Sequence, residues 1–78
     1  MSITPEQVKM ARQLLCWSQA DLAGHVGVSA STIGAFEIGK RRLPRLDLDA
    51  IRAALEWAGV EFAEIGGTSG VRLRKASE

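Results

Sequence analysis

A chain of 78 residues, 46% of them hydrophobic, has room for one small core and is too apolar for disorder. No apolar run approaches the roughly 20 residues of a membrane span, and the N-terminus lacks the basic start and apolar stretch of a secretory signal. A single cysteine, Cys16, supports neither an internal disulfide framework nor a cysteine-based zinc site, and a reducing cytoplasm is the expected setting; the formal net charge of +1 by itself argues nothing about a polyanionic partner.

The first predicted element begins at TPEQ, where Thr4 suits the N-cap, Pro5 the first helical position and Gln7 the reciprocal position of a capping box. Val8, Ala11, Leu14 and Leu15 then recur at helical spacing. Trp17 fits the staple position before a second cap, Ser18, with Asp21 three residues on. Leu22, Ala23 and Val26 form the short apolar stripe of that helix, and Gly27 can take the left-handed turn that ends it. Ser29 caps a third helix with Ile33 and Phe36 inward, and Gly39 stops it. A loop over 40–46 contains Pro44, and Asp47 is the expected cap of a fourth helix over 48–58, whose inward side is Leu48, Ile51, Ala54, Leu55 and Ala58.

After Gly59 the period changes. VEF and VRLR alternate apolar with charged residues around GGTSG, which predicts a β-hairpin with strands at 60–65 and 71–74. Two strands are marginal alone, so the hairpin must pack on the helices or join a partner's strands. The second and third helices are also too short to persist alone, since helices under about 12 residues are marginal in water. Small Ala23 permits close approach of two helix backbones and Gly27 a sharp turn. The pattern is a helix-turn-helix, with its second helix presented outward.

Charge follows the same geography. Lys40, Arg41, Arg42 and Arg45 lie together with no acidic residue among them, directly after the outward helix. Residues 46–66 then carry Asp47, Asp49, Glu56, Glu61 and Glu64 against Arg52, and the tail regains Arg72, Arg74 and Lys75. Such a dipolar layout can turn one face toward a polyanion. His25 has no companions for catalysis or metal binding and is expected to be exposed or to face a phosphate; Cys16 is expected to be a small buried residue.

The run LLCWSQADLAGHVGVSASTI followed by FEIGKR closely resembles the helix-turn-helix domain of the phage repressor and Cro family, also called XRE-like, and the resemblance covers residues 6–59. It implies a mainly α, four-helix repressor-like domain over 1–59, with 60–78 as a β-hairpin extension and short tail. The endings AGVEF and GVRLR resemble the C-terminal addition of a bacterial subgroup. The resemblance further implies that Gln19 contacts a DNA phosphate, that Arg12 pairs with Glu37, and that Ala30, Ser31, Thr32, Gly34 and Ala35 face the base edges. Lys40, Arg41, Arg42 and Arg45 would then meet backbone phosphates, which position a protein without reading sequence. None of the five outward residues can make the bidentate contact of Arg, Asn or Gln, so direct readout by this helix is expected to be modest, with DNA shape contributing. Gly34 also weakens the helix by about 1 kcal/mol relative to alanine.

The reading is therefore a sequence-specific, double-stranded DNA-binding transcriptional regulator, a dimeric repressor of a bacterium or phage, acting in the cytoplasm without a cofactor or a membrane. Two half-sites multiply the contacts of so small a monomer. Trp57, Val60, Phe62, Val71 and Leu73 belong either to the hairpin's own core or to a dimer interface. No ligand-sensing domain is expected within these 78 residues. The alternative is an antitoxin-type or other protein-interaction module on the same scaffold, with a toxin or other protein as partner. An enzyme is disfavoured, because no acid, base or nucleophile set converges.

Overall fold

The computed structural model describes residues 3–65 and 68–74. Helices α1 (Pro5–Leu14), α2 (Gln19–Val26), α3 (Ala30–Glu37) and α4 (Arg45–Trp57) are followed by strands β1 (Val60–Ile65) and β2 (Thr68–Leu73). The strands pair antiparallel, with Val60 opposite Leu73 and Phe62 opposite Val71. The second strand thus begins three residues before the expected 71, because the whole of β1 finds a partner in register.

One device opens all four helices. A residue before each cap and another four positions into each helix join the same core: Ile3 with Val8, Trp17 with Leu22, Val28 with Ile33, and Leu43 with Leu48. This is the spacing of a hydrophobic staple, which fixes the angle at which the chain enters a helix. Polar capping accompanies it in α1 and α2. Gln7 N–H donates to Thr4 Oγ1 at 3.1 Å while Thr4 N–H donates to Gln7 Oε1 at 2.9 Å. Ser18 and Asp21 make the same reciprocal pair at 3.0 and 2.8 Å.

Helix α4 corrects the expected boundary. Pro44, with φ −58°, takes the cap position without a side-chain hydrogen bond, and the helix starts at Arg45. Asp47 lies inside the first turn, where its charge still favours the helix N-terminus. Burial of Leu43 explains the earlier start: a cap at Asp47 would place no buried residue immediately before it, since Leu46 is 80% exposed.

Helix ends show a second correction. Cys16 is exposed and has φ +58°, the left-handed conformation usually left to glycine. Trp17 N–H donates to the Arg12 carbonyl at 2.9 Å and Cys16 N–H to the Gln13 carbonyl at 3.1 Å. These two bonds make a Schellman turn at the end of α1, which requires the left-handed residue and points its side chain to solvent. Of the two leucines that close the helical pattern, Leu14 is 39% exposed and Leu15 packs against the core.

The core is centred on Val8, Leu22, Ile33, Ile51, Leu55 and Val60, all fully buried. Burying such a side chain contributes roughly 1.5–3 kcal/mol each. Helix α2 packs on α3 and α4, while α1 and α4 meet the hairpin. Phe62 and Val71 pack against the core, so the hairpin's apolar face is turned onto the chain's own helices. Arg52 lies 5.5 Å over the Phe62 ring, and Arg74 Nη2 donates to the Glu56 carbonyl at 2.7 Å, which fastens the hairpin to α4.

Candidate nucleic-acid interface

The turn between α2 and α3 is set by Gly27, with φ +81°. Ser29 then caps α3, and Ile33 and Phe36 anchor its inner face. With that face fixed, Ser31 is exposed and Thr32, Gly34 and Ala35 are half-buried at the surface. Ala30, expected to face outward with them, is half-buried against the core. It stands three positions before Ile33 and shares that face.

The three hydroxyls at the start of α3 are already engaged with one another. Ser29 Oγ lies 3.1 Å from Ser31 Oγ and 2.8 Å from Thr32 Oγ1, and it accepts the Thr32 backbone N–H at 3.1 Å. Each hydroxyl both donates and accepts, so an incoming acceptor or donor can exchange for one of these bonds without stranding a buried group.

The far end of α3 is held by charge. Arg12 donates from Nε to Glu37 Oε2 at 2.9 Å and from Nη2 to Glu37 Oε1 at 3.0 Å. Its Nη1 donates to the Trp17 carbonyl at 2.9 Å. The Glu37 side chain is only 2% exposed and that of Arg12 13%. The hydrogen bonds to Glu37 raise the Arg12 pKa above its already high ordinary value, against the opposing effect of burial. Glu37 occupies the last turn of its helix, where the backbone dipole disfavours an anion, so the planar guanidinium fork supplies what the helix end does not. Arg12, in the last turn of α1, is favoured there.

Gln19, at the start of α2, also binds this carboxylate. Its Nε2 donates to Glu37 Oε1 at 3.2 Å. The side chain lies against Gly34, where a Cβ would stand 3.1 Å from Gln19 Oε1 and 3.3 Å from Nε2. The sequence contains both residues but not their proximity, which is tertiary.

A second Schellman turn closes α3. Lys40 N–H donates to the Ala35 carbonyl at 2.9 Å and Gly39 N–H to the Phe36 carbonyl at 3.0 Å, with Gly39 at φ +79°. The turn delivers Lys40, Arg41, Arg42 and Arg45 to the surface, all exposed. Among the described residues, none of these four side chains has a hydrogen bond or ion pair. The basic corner is therefore electrostatically available, unlike Arg12, Arg52 and Arg72, which are paired.

Two apolar side chains near the corner were not singled out by the sequence pattern: Ile38 is 67% and Leu46 80% exposed. A signal for the first was present in spacing, since Ile38 stands three and four positions from Ala35 and Gly34 on the outer side of α3. On another face, the His25 ring stacks on Trp17 with centroids 4.5 Å apart, and Trp57 lies 6.4 Å from His25. Trp57 is 81% exposed. Among the described residues no group of three His, Cys, Asp or Glu side chains could hold a metal ion, and no helix is long and apolar enough to cross a membrane.

A short α2, a left-handed glycine turn and an outward α3 beside an exposed cationic corner define a helix-turn-helix DNA-binding module. A family model described as a helix-turn-helix domain matches residues 6–65, and the chain belongs to that family, one of XRE-like regulators. The match extends through the four helices and the first strand. Such domains typically bind DNA without catalysing a reaction. No match was found among the curated proteins.

Proposed function

We propose that this protein is a sequence-specific regulator of transcription that places α3 in the major groove of double-stranded DNA and represses as a homodimer on two half-sites. The observation that carries the reading is the adjacency of α3, fixed at both ends, to the exposed cations Lys40, Arg41, Arg42 and Arg45. Ser31, Thr32 and Ala35 meet base edges and a thymine methyl; the corner meets phosphates. The reading is tested by titrating fluorescent duplex at several salt concentrations. It requires affinity that falls linearly with the logarithm of salt, because each phosphate contact releases counterions.

The dimer surface is drawn more narrowly than the alternating strands suggested. Val60 is fully buried and Phe62 and Val71 pack on the chain's own core, so they stabilise the monomer. Trp57 and Leu73, 81% and 48% exposed, are the side chains left to offer a second copy, together with the strand edges. A second reading, a protein-interaction module of the antitoxin type, is favoured by the exposed Ile38 beside small Gly34 and Ala35. Salt-insensitive or absent duplex binding would select it.

A further inference from the structure

Helix α4 is apolar on two opposite sides, and only one of them meets the core. Ile51 and Leu55 are fully buried, and Leu48 packs against the core beside them. On the far side stand Leu46, Ala50, Ala53 and Trp57, at successive spacings of four, three and four residues, which form one continuous stripe on a helix. All four are exposed, the two large ones by 80% and 81%. Beside the stripe, His25 and Trp57 wall an open groove of ≈ 540 Å³ floored by Ala50, Ala53 and Ala54.

We propose that this stripe is the contact between two copies of the chain, with their α4 helices antiparallel about a two-fold axis that passes between Ile51 and Arg52. The inference deepens the homodimer proposed above and rests on that reading. The order of side chains along the stripe carries it. A two-fold contact requires that residue i meet j and that j meet i. The stripe runs large, small, small, large, and it is symmetrical about that one point. Leu46 then meets Trp57 of the second copy, and Ala50 meets its Ala53. A partner of different sequence imposes no such symmetry. The bulky side chains fill the two outer layers. The alanines between them let the helix axes approach to the lower end of the roughly 8–10 Å seen between packed helices. The alternation of three and four residues is the spacing of knobs-into-holes packing. Asp49 and Glu56 border the stripe on one side, and the pairing sets Asp49 near Glu56 of the second copy. Arg52, 3.0 Å from Glu56, offsets part of that repulsion, and salt screens the rest.

The test is sedimentation without DNA at increasing concentration, run on the full chain and on Ala53→Glu, with thermal unfolding of each. Ala53 is exposed, so the variant should unfold as the wild type does. Its dimerisation should weaken by about tenfold or more, because the central layer would bury a carboxylate. Register is read with a short bis-maleimide in a Cys16→Ala background. Leu46→Cys should crosslink to Trp57→Cys when the two variants are mixed. Neither should crosslink to itself, since like positions lie about 16 Å apart along the paired helices. A dimer that Ala53→Glu leaves intact would overturn the inference and place the contact on the hairpin edges. Self-crosslinking of either variant in place of the mixed product would overturn it too. A wild type that is monomeric at every concentration would remove the homodimer along with the inference, and would leave the acid-bordered stripe to a basic helix of another protein. Neither measurement contains DNA, so a failure of the DNA-reading proposal would not change them.

Discussion

The side chains of Arg12 and Glu37, 25 residues apart in sequence, meet through two parallel hydrogen bonds of 2.9 and 3.0 Å. The carboxylate is almost wholly buried, so each partner is the main compensation for the other's removal from water. Arg12→Ala should therefore destabilise by roughly 3 kcal/mol or more, since it leaves the buried Glu37 carboxyl group with only the Gln19 amide as a partner. The double variant Arg12→Ala with Glu37→Ala should cost clearly less than the two single changes added together. Urea unfolding of all four proteins measures the coupling. Additive effects would mean that the pair is not a unit and that α3 is held by its apolar face alone.

Arg41→Ala with Arg42→Ala tests the cationic corner. Both side chains are exposed and unpaired among the described residues, so their removal should leave unfolding nearly unchanged. Duplex affinity should fall similarly for selected and random sequences. The slope of log affinity against log salt should drop by about 1.8, near 0.9 for each phosphate that is no longer neutralised. An unchanged slope would take both residues off the DNA.

The local grammar of this fold was legible in the sequence because short-range chemistry dictates it. Thr4 with Gln7 and Ser18 with Asp21 need only three residues to make a capping box, and Gly27 and Gly39 announce left-handed turns. The errors arise where tertiary packing overrides that grammar. Asp47 has better capping chemistry than Pro44, yet burial of Leu43 selects the earlier start. Cys16 has the size and polarity of a small core residue, but the turn between α1 and α2 needs a left-handed residue there. The seat of Gln19 over Gly34 joins two helices and leaves no trace in either helix's pattern. The Arg12–Glu37 pair was accessible only through the family resemblance, because nothing in the spacing of 25 residues predicts it.

Cys16→Gly should stabilise the protein. A non-glycine residue in the left-handed region costs roughly 1–2 kcal/mol, and glycine returns part of that through its freer unfolded chain. The net expectation is a gain of about 0.5–1 kcal/mol, read as a higher urea midpoint with unchanged slope. Cys16→Ala keeps the strained backbone and should give no such gain. Equal midpoints for both variants would locate any effect in the thiol rather than in φ.

Asp21 gives a pH dependence with a defined sign. The Ser18 backbone N–H, and secondarily its hydroxyl, hold the Asp21 carboxyl below the usual aspartate range. A lowered folded-state value means that the stabilisation is complete above the unfolded value and disappears as pH falls through the folded one. The acid limb of unfolding temperature against pH, below about pH 4, should therefore be shallower in Asp21→Asn than in the wild type. Identical acid limbs would assign the slope to other carboxylates.

The proposed dimer calls for point substitutions rather than removal of the hairpin. Deleting everything after Gly59 would take away Val60, which is fully buried, and the packing of Phe62 and Val71. A truncated chain would then fail to assemble by unfolding, whether or not the hairpin joins a second copy. Trp57 avoids this difficulty, because 81% of it faces solvent and little of the monomer's packing depends on it. Trp57→Lys should preserve the unfolding transition and shift the sedimenting species from dimer to monomer, since burying an unpaired ammonium at an interface is costly. Leu73→Lys, half-exposed on β2, should act in the same direction. Dissociation of the dimer should also weaken binding to a two-half-site duplex much more than to a single half-site, because the second contact becomes a separate binding event. A wild-type chain that sediments as a monomer at high concentration and binds both duplexes equally would sink the two-fold arrangement.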